Sequence, residues 1–138
     1  MPDQPTIVAA IVTSPDGVLL ARRHDGAPEW TFPGGAQDEG ETCAETAVRE
    51  TWEETGLVVQ AKKPLGERVH PKTGRRMVYI AADPVDSTAV TVREPEEHAE
   101  VGWYPWPTAR EMLPHLFESV AAHLFEMLCC EIKRPPDS

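Results

Sequence analysis

The chain has 138 residues, a length that suits one domain built around one hydrophobic core. Its formal net charge of −10 argues against a nucleic-acid polymer or an anionic membrane as partner, but not against small phosphates that bind with a metal ion. Three cysteines suggest no disulfide framework, residues 1–4 carry no basic leader, and no apolar run reaches membrane length. We therefore expect a soluble, cytoplasmic protein.

A β-hairpin is predicted near the start of the chain. Residues 7–12 are an unbroken run of strand-forming side chains, which is typical of a strand buried on both faces. The sequence Pro-Asp-Gly at 15–17 predicts a turn, and residues 18–23 should pair back on the first strand. Because side chains alternate along a strand, Arg22 and Arg23 should point to opposite faces, so that one of them can reach a site.

A loop at residues 24–29 and a short extended segment at 30–32 lead into the sequence Pro33-Gly34-Gly35. Adjacent glycines allow the backbone to approach a ligand or a metal ion closely, because they carry no side chain. Alone, this sequence would indicate only a turn. Its position directly before an acidic segment makes it a candidate part of a binding site.

Residues 43–55 are predicted to form an acidic helix. Thr42 and Glu45 have the spacing of a capping box, and Gly56 supplies the left-handed residue that commonly ends a helix. Three glutamates fall on one face, about one turn apart: Glu50, Glu53 and Glu54. Like charges at this spacing destabilise a helix by roughly 0.2–0.5 kcal/mol per pair. A solvated helix is one interpretation; a site for Mg²⁺, which prefers carboxylate oxygens and shares substrate phosphates, is the other.

The spacing of these residues resembles the signature of the Nudix hydrolases. That signature reads Gly-x5-Glu-x7-Arg-Glu-U-x-Glu-Glu-x-Gly-U, in which U is a bulky aliphatic residue. The chain matches it from Gly35 to Leu57 at every fixed position except the first U, where Thr51 stands. Seven fixed positions would match by chance about once in 10⁸ windows. Because Thr51 lies on the core-facing side of the predicted helix, the departure concerns packing more than chemistry.

The resemblance implies a fold and an activity. The fold would be the Nudix fold of the α+β class, an α/β/α sandwich with a central mixed β-sheet, in a single domain spanning residues 1–138. Its core would cover about residues 7–130, followed by a flexible tail at 131–138. Nudix hydrolases cleave a nucleoside diphosphate linked to another group, so the partner would be a small-molecule nucleotide.

The resemblance also implies which residues carry the chemistry. Mg²⁺, for which Mn²⁺ can substitute, would bind the Gly35 carbonyl and the three helix glutamates. Glu41 would be a further ligand or would support one. Glu50 would be the general base, although another of these glutamates or a loop acid is an alternative. Glu53 would act through the metal ion, and Arg49 would pair with a carboxylate and orient it.

Substrate contacts follow from the same resemblance. Arg23 matches a strand-end arginine that contacts phosphate in relatives, while Gly34 and Gly35 would bring the backbone close to the substrate. Tyr79 is our candidate for stacking on the base, although core packing is the default role of each aromatic candidate. The other aromatic candidates are Trp30, Trp103, Tyr104 and Trp106.

Further strands are predicted at residues 57–59 with 65–69, at 77–82, at 89–92 and at 101–104. Residues 70–74 should connect two of them as a hairpin turn. Four cationic residues lie in or beside this turn: Arg68, Lys72, Arg75 and Arg76. We interpret this cluster as a surface that keeps the hairpin tip soluble, with phosphate binding as the alternative.

Residues 93–100 are polar and acidic. In relatives one acid of this region assists the metal site or acts as base, and the candidates here are Glu96, Glu97 and Glu100. Thr108 should cap a short turn through Met112, and Pro114 should open a last helix that runs to about Cys130. The apolar stripe of that helix is either a core face or the contact of a homodimer.

Three functions follow from these residues. The first is hydrolysis of a canonical or oxidised nucleoside triphosphate, such as 8-oxo-dGTP, to the monophosphate and pyrophosphate. The second is hydrolysis of ADP-ribose or another nucleoside diphosphate derivative, to which Pro71 gives only faint support because a turn explains this proline. The third is a module that binds nucleotides without cleaving them. Such modules usually lose glutamates of the signature, and all of them are present here.

Overall fold

A computed structural model describes residues 4–133, so residues 134–138 of the predicted tail lie outside the described part. The elements are β1 (Ile7–Ser14), β2 (Gly17–Arg23), β3 (Trp30–Thr31), β4 (Gly34–Ala36), α1 (Cys43–Thr55), β5 (Val59–Val69), β6 (Arg76–Pro84), β7 (His98–Tyr104), α2 (Trp106–Met112) and α3 (Glu118–Lys133). Within the described residues, none of the helices has the length and apolarity that crossing a bilayer requires.

The strands form one mixed sheet. The hydrogen-bonded order is β3-β2-β1-β6-β5, with β4 also paired to β1 and β7 also paired to β2. β1 and β6 run parallel, whereas the other pairs are antiparallel. A mixed sheet with three helices confirms the predicted fold class.

β1 lies between two hydrophobic cores. Val8, Ala10 and Val12 point into the core that α1 covers. Ala9 and Ile11 point into the core that α2 and α3 cover. All five side chains are buried, as a strand covered on both faces requires. The helices therefore lie on both faces of the sheet, which gives the predicted α/β/α sandwich.

β5 is one continuous strand where two shorter segments are predicted. Its register with β6 shifts between Ala61 and Lys63 and again between Pro64 and Gly66. An irregular position tolerates proline because the missing N–H is not needed for the ladder there. The turn at 70–74 joins β5 to β6 as predicted, and the His70 amide closes it by donating to the Arg75 carbonyl.

The predicted strand at residues 89–92 is wrong. The Thr91 amide donates to the Thr55 carbonyl at 3.0 Å, and the Arg93 amide donates to the Glu54 carbonyl at 3.2 Å. These carbonyls belong to the last turn of α1, where a helix has no partners of its own for them. The segment therefore satisfies the end of the helix instead of adding a strand to the sheet.

The predicted cap at Thr108 is also wrong. α2 begins at Trp106, and its N-cap is Pro105, which offers no side-chain hydrogen bond. Thr108 lies inside the helix. Proline near the first turn is favourable because its fixed φ suits a helix and its missing N–H is not needed there.

The last helix begins and ends later than predicted. α3 runs from Glu118 to Lys133, so Pro114 does not open it, and Cys130 does not end it. Pro114 instead follows Leu113, the C-cap of α2, a position where proline is common because it cannot continue a helix. In α3, Val120 and Leu124 are fully buried, which favours the core role of its apolar stripe.

Candidate active site

α1 is the helix that the sequence predicts, and hydrogen bonds define both of its ends. Thr42 Oγ1 accepts a hydrogen bond from the Glu45 amide at 3.1 Å, and Glu45 Oε1 accepts one from the Thr42 amide at 2.8 Å. Gly56 has a φ of 75°, the left-handed conformation that ends the helix. Thr51, the departure from the signature, is fully buried, and its hydroxyl donates to a carbonyl one turn earlier.

β4 places the backbone of two glycines against the carboxylates of α1. The Gly34 amide donates to Glu54 Oε2 at 3.2 Å. A β-carbon on Gly35 would lie 2.0 Å from Glu50 Oε2, so a side chain fits at this position only if Glu50 moves. The pairing of β4 with β1 fixes both glycines. The close backbone approach expected of these glycines is thus made to the glutamates themselves.

Arg49 connects the acidic groups. Its Nε and Nη2 donate to the two oxygens of Glu41 at 2.6 and 3.0 Å, and its Nη1 donates to Glu53 Oε1 at 3.1 Å. Nη1 also lies 3.6 Å from Glu50 Oε2. The hydrogen bonds from Arg49 lower the pKa of Glu41 to about 2. Because Arg49 occupies both oxygens of Glu41, the position of Glu41 favours support of the site over direct metal ligation.

Glu54 and Glu50 are carboxylates removed from water. Glu54 is 5% exposed, and burial, followed by the charge of Glu50, raises its pKa to about 9. Burial also raises the pKa of Glu50, with Arg49 opposing the shift and Glu53 adding to it. Both groups hold a proton more tightly than an exposed carboxylate because like charges are crowded together in a poorly hydrated place.

The donor set of this site is the kind that Mg²⁺ takes. Among residues 4–133, no three His, Cys, Asp or Glu side chains converge closely enough to hold an ion as they stand, and Arg49 engages Glu53. The glutamates nevertheless offer hard carboxylate oxygens beside the Gly34-Gly35 backbone. Their crowded negative charge is what a divalent cation would neutralise. The residues therefore fit a magnesium ion in chemical type.

Of the three predicted loop acids, one lies near the helix glutamates. The charge of Glu97 raises the pKa of Glu54. Glu100 instead forms an ion pair with Arg22 at 2.8 Å, between β7 and β2. The charge of Glu96 raises the pKa of Glu94 and opposes the lowering of the pKa of His98. The structure thus brings the charge of Glu97 to a helix glutamate, whereas Glu100 pairs with Arg22.

Two neighbours of the site were missed from the sequence, Glu94 and His98. The charge of Glu94 raises the pKa of both Glu50 and Glu54. His98 is 5% exposed, its Nε2 lies 3.7 Å from Glu54 Oε1, and burial lowers its pKa. Glu94 belongs to the acidic run that the sequence singles out. Its approach depends on the backbone hydrogen bonds of residues 91–93 to α1, which no sequence pattern reveals.

Arg22 and Arg23 have different partners, as strand alternation predicts. Arg23 donates twice to Asp25, at 2.9 and 2.6 Å. The pKa of Arg23 is raised, first by this pairing and further by acids that include Glu54. Arg22 is held by its ion pair on the neighbouring strand. Arg23 is therefore the arginine whose charge acts on the site.

A cavity of about 910 Å³ opens on the side of the sheet that α2 and α3 cover. Ala9, the cross-strand partner of Gly34, lines it, so the cavity and the glycine backbone are neighbours through β1. Tyr79 also lines it, and its ring lies 5.3 Å from that of Phe117. Trp30 is a further lining residue. The other aromatic candidates, Trp103, Tyr104 and Trp106, are not in its wall.

Comparison with known proteins agrees with this geometry. The family model described as NUDIX domain matches residues 3–128. A MutT-like protein of Streptomyces ambofaciens is 33% identical over 121 residues, which is 88% of this chain and 75% of the relative. The asymmetrical bis(5′-nucleosyl)-tetraphosphatase of Rattus norvegicus is 33% identical over 114 residues, 78% of this chain and 76% of the relative.

Solved structures agree as well. The crystal structure of the MutT protein from Methanosarcina mazei Go1 superposes with a TM-score of 0.66 at 25% identity, and covers 94% of this chain and 96% of that one. The fold, the signature helix and the family model thus agree, and the chain belongs to the Nudix family of hydrolases.

Proposed function

We propose that the chain hydrolyses a nucleoside triphosphate, canonical or oxidised, to the nucleoside monophosphate and pyrophosphate, with Mg²⁺ as cofactor. The observation that carries this proposal is the crowding of Glu50, Glu53 and Glu54 beside the Gly34-Gly35 backbone, next to an aromatic cavity. Cleavage of a phosphoanhydride needs neutralisation of charge, activation of water and alignment of the attack. The reaction would serve nucleotide-pool sanitation in the cytoplasm.

Each group of the site has a part in this reaction. Mg²⁺, when bound, supplies charge neutralisation at the phosphates. Glu50, which lies against Gly35, takes a proton from the water that attacks phosphorus, and the bond to the departing pyrophosphate breaks. Arg49 keeps Glu53 in place through its hydrogen bond. Arg23 exchanges its exposed pairing with Asp25 for the substrate phosphates.

The cavity would hold the nucleoside. A cavity of about 910 Å³ lies within the roughly 300–1,000 Å³ that ligand pockets span, so it can hold a nucleoside. The tetraphosphatase among the relatives makes a dinucleoside polyphosphate a second candidate substrate. ADP-ribose is a further candidate, to which Pro71 adds nothing because the turn between β5 and β6 explains this proline.

A substrate panel tests the proposal. The protein is incubated with Mg²⁺ and nucleoside triphosphates, 8-oxo-dGTP, ADP-ribose or a dinucleoside tetraphosphate, and the products are separated and quantified. We expect nucleoside monophosphate and pyrophosphate from a triphosphate, loss of turnover on chelation, and recovery with Mg²⁺ or Mn²⁺. Turnover that persists in excess chelator contradicts the metal assignment. Cleavage of the dinucleoside tetraphosphate alone would favour the second candidate.

A further inference from the structure

His98 is a histidine buried beside the acidic helix. Its side chain is 6% exposed, and so is the side chain of Glu54, whose Oε1 lies 3.7 Å from His98 Nε2. Among the described residues, the other ring nitrogen, Nδ1, has no hydrogen-bond partner. Buried polar atoms are nearly always hydrogen-bonded, because an unpaired one destabilises the fold. A leucine would fill this space without that penalty, so packing alone does not account for a histidine here.

A bulge in the sheet turns His98 toward this position. β2 and β7 are antiparallel, and their register shifts after Arg22, which is paired with Glu100, so that Arg23 is paired with His98. Paired residues of a ladder point to the same face, and His98 therefore shares a face with Arg23. Without the shift Arg23 would be opposite Ala99, and His98 would point to the other face. Bulges next to active sites re-aim side chains in this way.

The face that His98 shares with Arg23 is the one that α1 covers. Leu19 of β2 belongs to the core cluster that includes Ala47 of α1. Because side chains alternate along a strand, Leu19 and Arg23 point to the same side of the sheet. The backbone of His98 is held as well, since its amide donates to the Glu94 carbonyl at 2.9 Å. The imidazole is thus placed against the end of the acidic helix by the sheet itself.

The carboxylate of Glu54 is held on one side only. Its Oε2 accepts a hydrogen bond from the Gly34 amide at 3.2 Å. Among the described residues, Oε1 accepts no hydrogen bond, and His98 Nε2 lies just beyond hydrogen-bond distance from it. A shift of less than about 1 Å would bring this nitrogen within range. Each carboxylate oxygen has more than one lone pair, so contacts from Gly34 and His98 would leave positions for a metal ion.

We propose that His98 is a positioning residue for Glu54. Its Nε2–H donates to Oε1, so that the imidazole and the Gly34 amide together fix the carboxylate in the orientation that binds Mg²⁺. The inference rests on the proposed function, in which Glu54 is a ligand of that ion, and adds a residue to it. Hydrogen bonds orient ligating carboxylates, and loss of such a partner typically weakens metal affinity about 10- to 100-fold.

Binding of Mn²⁺ in the absence of nucleotide tests this role without turnover. The protein is titrated with Mn²⁺, and the free ion is quantified by electron paramagnetic resonance. Three substitutions distinguish the two ring nitrogens. His98→Gln can place an amide nitrogen near the position of Nε2, His98→Asn can place one near that of Nδ1, and His98→Leu provides neither.

We expect the variants to differ according to the nitrogen that they keep. His98→Leu and His98→Asn should bind Mn²⁺ about tenfold to a hundredfold more weakly than the wild type, whereas His98→Gln should stay within about threefold of it. His123→Leu removes a histidine from α3 and serves as the control, with the affinity of the wild type. Denaturant midpoints without metal should be unchanged or raised by His98→Leu, because this change removes an unpaired buried nitrogen.

A double-mutant cycle shows whether His98 acts through Glu54. Glu54→Gln removes the carboxylate and sets the background of weak Mn²⁺ binding by the other acids. In that background His98→Leu should have no further effect, because the group that it positions is already gone. An equal loss of affinity on His98→Leu with and without the Glu54 carboxylate would overturn the inference.

Equal Mn²⁺ affinities of His98→Gln and His98→Asn would also overturn it, and this comparison remains if His98→Leu does not fold. If the wild type and all His98 variants bind Mn²⁺ equally, the metal site stands and only the role of His98 is lost. Absence of Mn²⁺ binding by the wild type would instead remove the metal site, and with it both this inference and the proposed function. The two failures are therefore distinct.

Discussion

Gly35 and Glu50 occupy adjoining space: a β-carbon at position 35 would lie 2.0 Å from Glu50 Oε2. Gly35→Ala should therefore displace the Glu50 carboxylate and reduce kcat by about 10²-fold, the scale of an ångström-sized misplacement in an active site. The matched control is Gly102→Ala, whose added carbon would meet its nearest neighbour at an ordinary 3.4 Å. Turnover measured for both variants tests this prediction. Near-normal activity of Gly35→Ala would contradict the role of Glu50.

Glu53→Gln tests whether Glu53 contributes to catalysis or to the stability of the fold. The change removes one ligand charge, so turnover with Mg²⁺ should fall by at least about 10²-fold, as for loss of a strong electrostatic stabiliser. Loss of the ion pair with Arg49 and relief of the repulsion from Glu50 oppose each other, so the free energy of unfolding without metal should change by less than about 0.5 kcal/mol.

The measurement for Glu53→Gln is a pair of assays, turnover with Mg²⁺ and the denaturant midpoint without it. Glu126→Gln, which removes an exposed acid from α3, serves as the control and should leave both unchanged. A Glu53→Gln protein that unfolds more easily yet keeps its turnover would show that Glu53 is structural.

Arg23→Ala and Arg22→Ala test which arginine meets the phosphates. Arg23→Ala should lower kcat/KM by about tenfold to a hundredfold, because a charge-assisted contact contributes roughly 1.5–3 kcal/mol. Arg22→Ala also removes an arginine side chain, but this one pairs with Glu100 of β7, so activity should fall much less. Steady-state kinetics on both variants are the measurement. Equal losses would mean that the strand has been oriented wrongly.

The buried Glu54 predicts an unusual pH dependence of stability in metal-free buffer. Its pKa is raised to about 9 in the folded protein, so between an ordinary carboxyl pKa and pH 9 the folded state holds a proton that the unfolded state has lost. The free energy of unfolding therefore falls as pH rises through this window, by at most about 1.4 kcal/mol per pH unit. Above pH 9 the effect levels off.

Denaturant midpoints from pH 7 to pH 9 with a chelator present measure this slope. Glu54→Gln, which cannot ionise, should flatten it, and the difference between the two proteins isolates Glu54 from other groups. His98, whose pKa is lowered by burial, adds little in this window because an ordinary histidine is already largely neutral above pH 7. Identical slopes in the two proteins would show that Glu54 ionises normally.

Local signals in the sequence were sufficient to predict α1 and β1. The capping box of Thr42 and Glu45 and the terminal Gly56 act within a few residues, so the helix ends could be predicted without knowledge of the fold. The uninterrupted apolar run of β1 likewise required burial on both faces. The signature glutamates come together because they share one helix, and the sequence contains that helix entirely.

Features that depend on long-range contacts could not be predicted. Residues 89–92 have strand-forming side chains, but their backbone partner is the end of α1, some 36 residues earlier (Thr91 and Thr55). The same contact brings Glu94 to the site. The cavity is assembled from segments that lie far apart in the sequence, such as residues 26–32 and 111–117. Lys72 lines it, whereas Arg76 bonds Glu67 outside it, and a charge cluster in the sequence does not reveal this difference.

β1 lies between the two cores and pairs with a strand on each edge, so its register sets the positions of residues on both sides of it. Val8 and Ala9 are paired to Gly35 and Gly34 on one edge and to Val78 and Tyr79 on the other. A single-residue deletion inside β1 would exchange the faces of every side chain beyond it and displace the glycines and Tyr79 together. Changes in loop length elsewhere leave this alignment intact, so substrate preference can diverge through the loops while the hydrolytic centre stays in place.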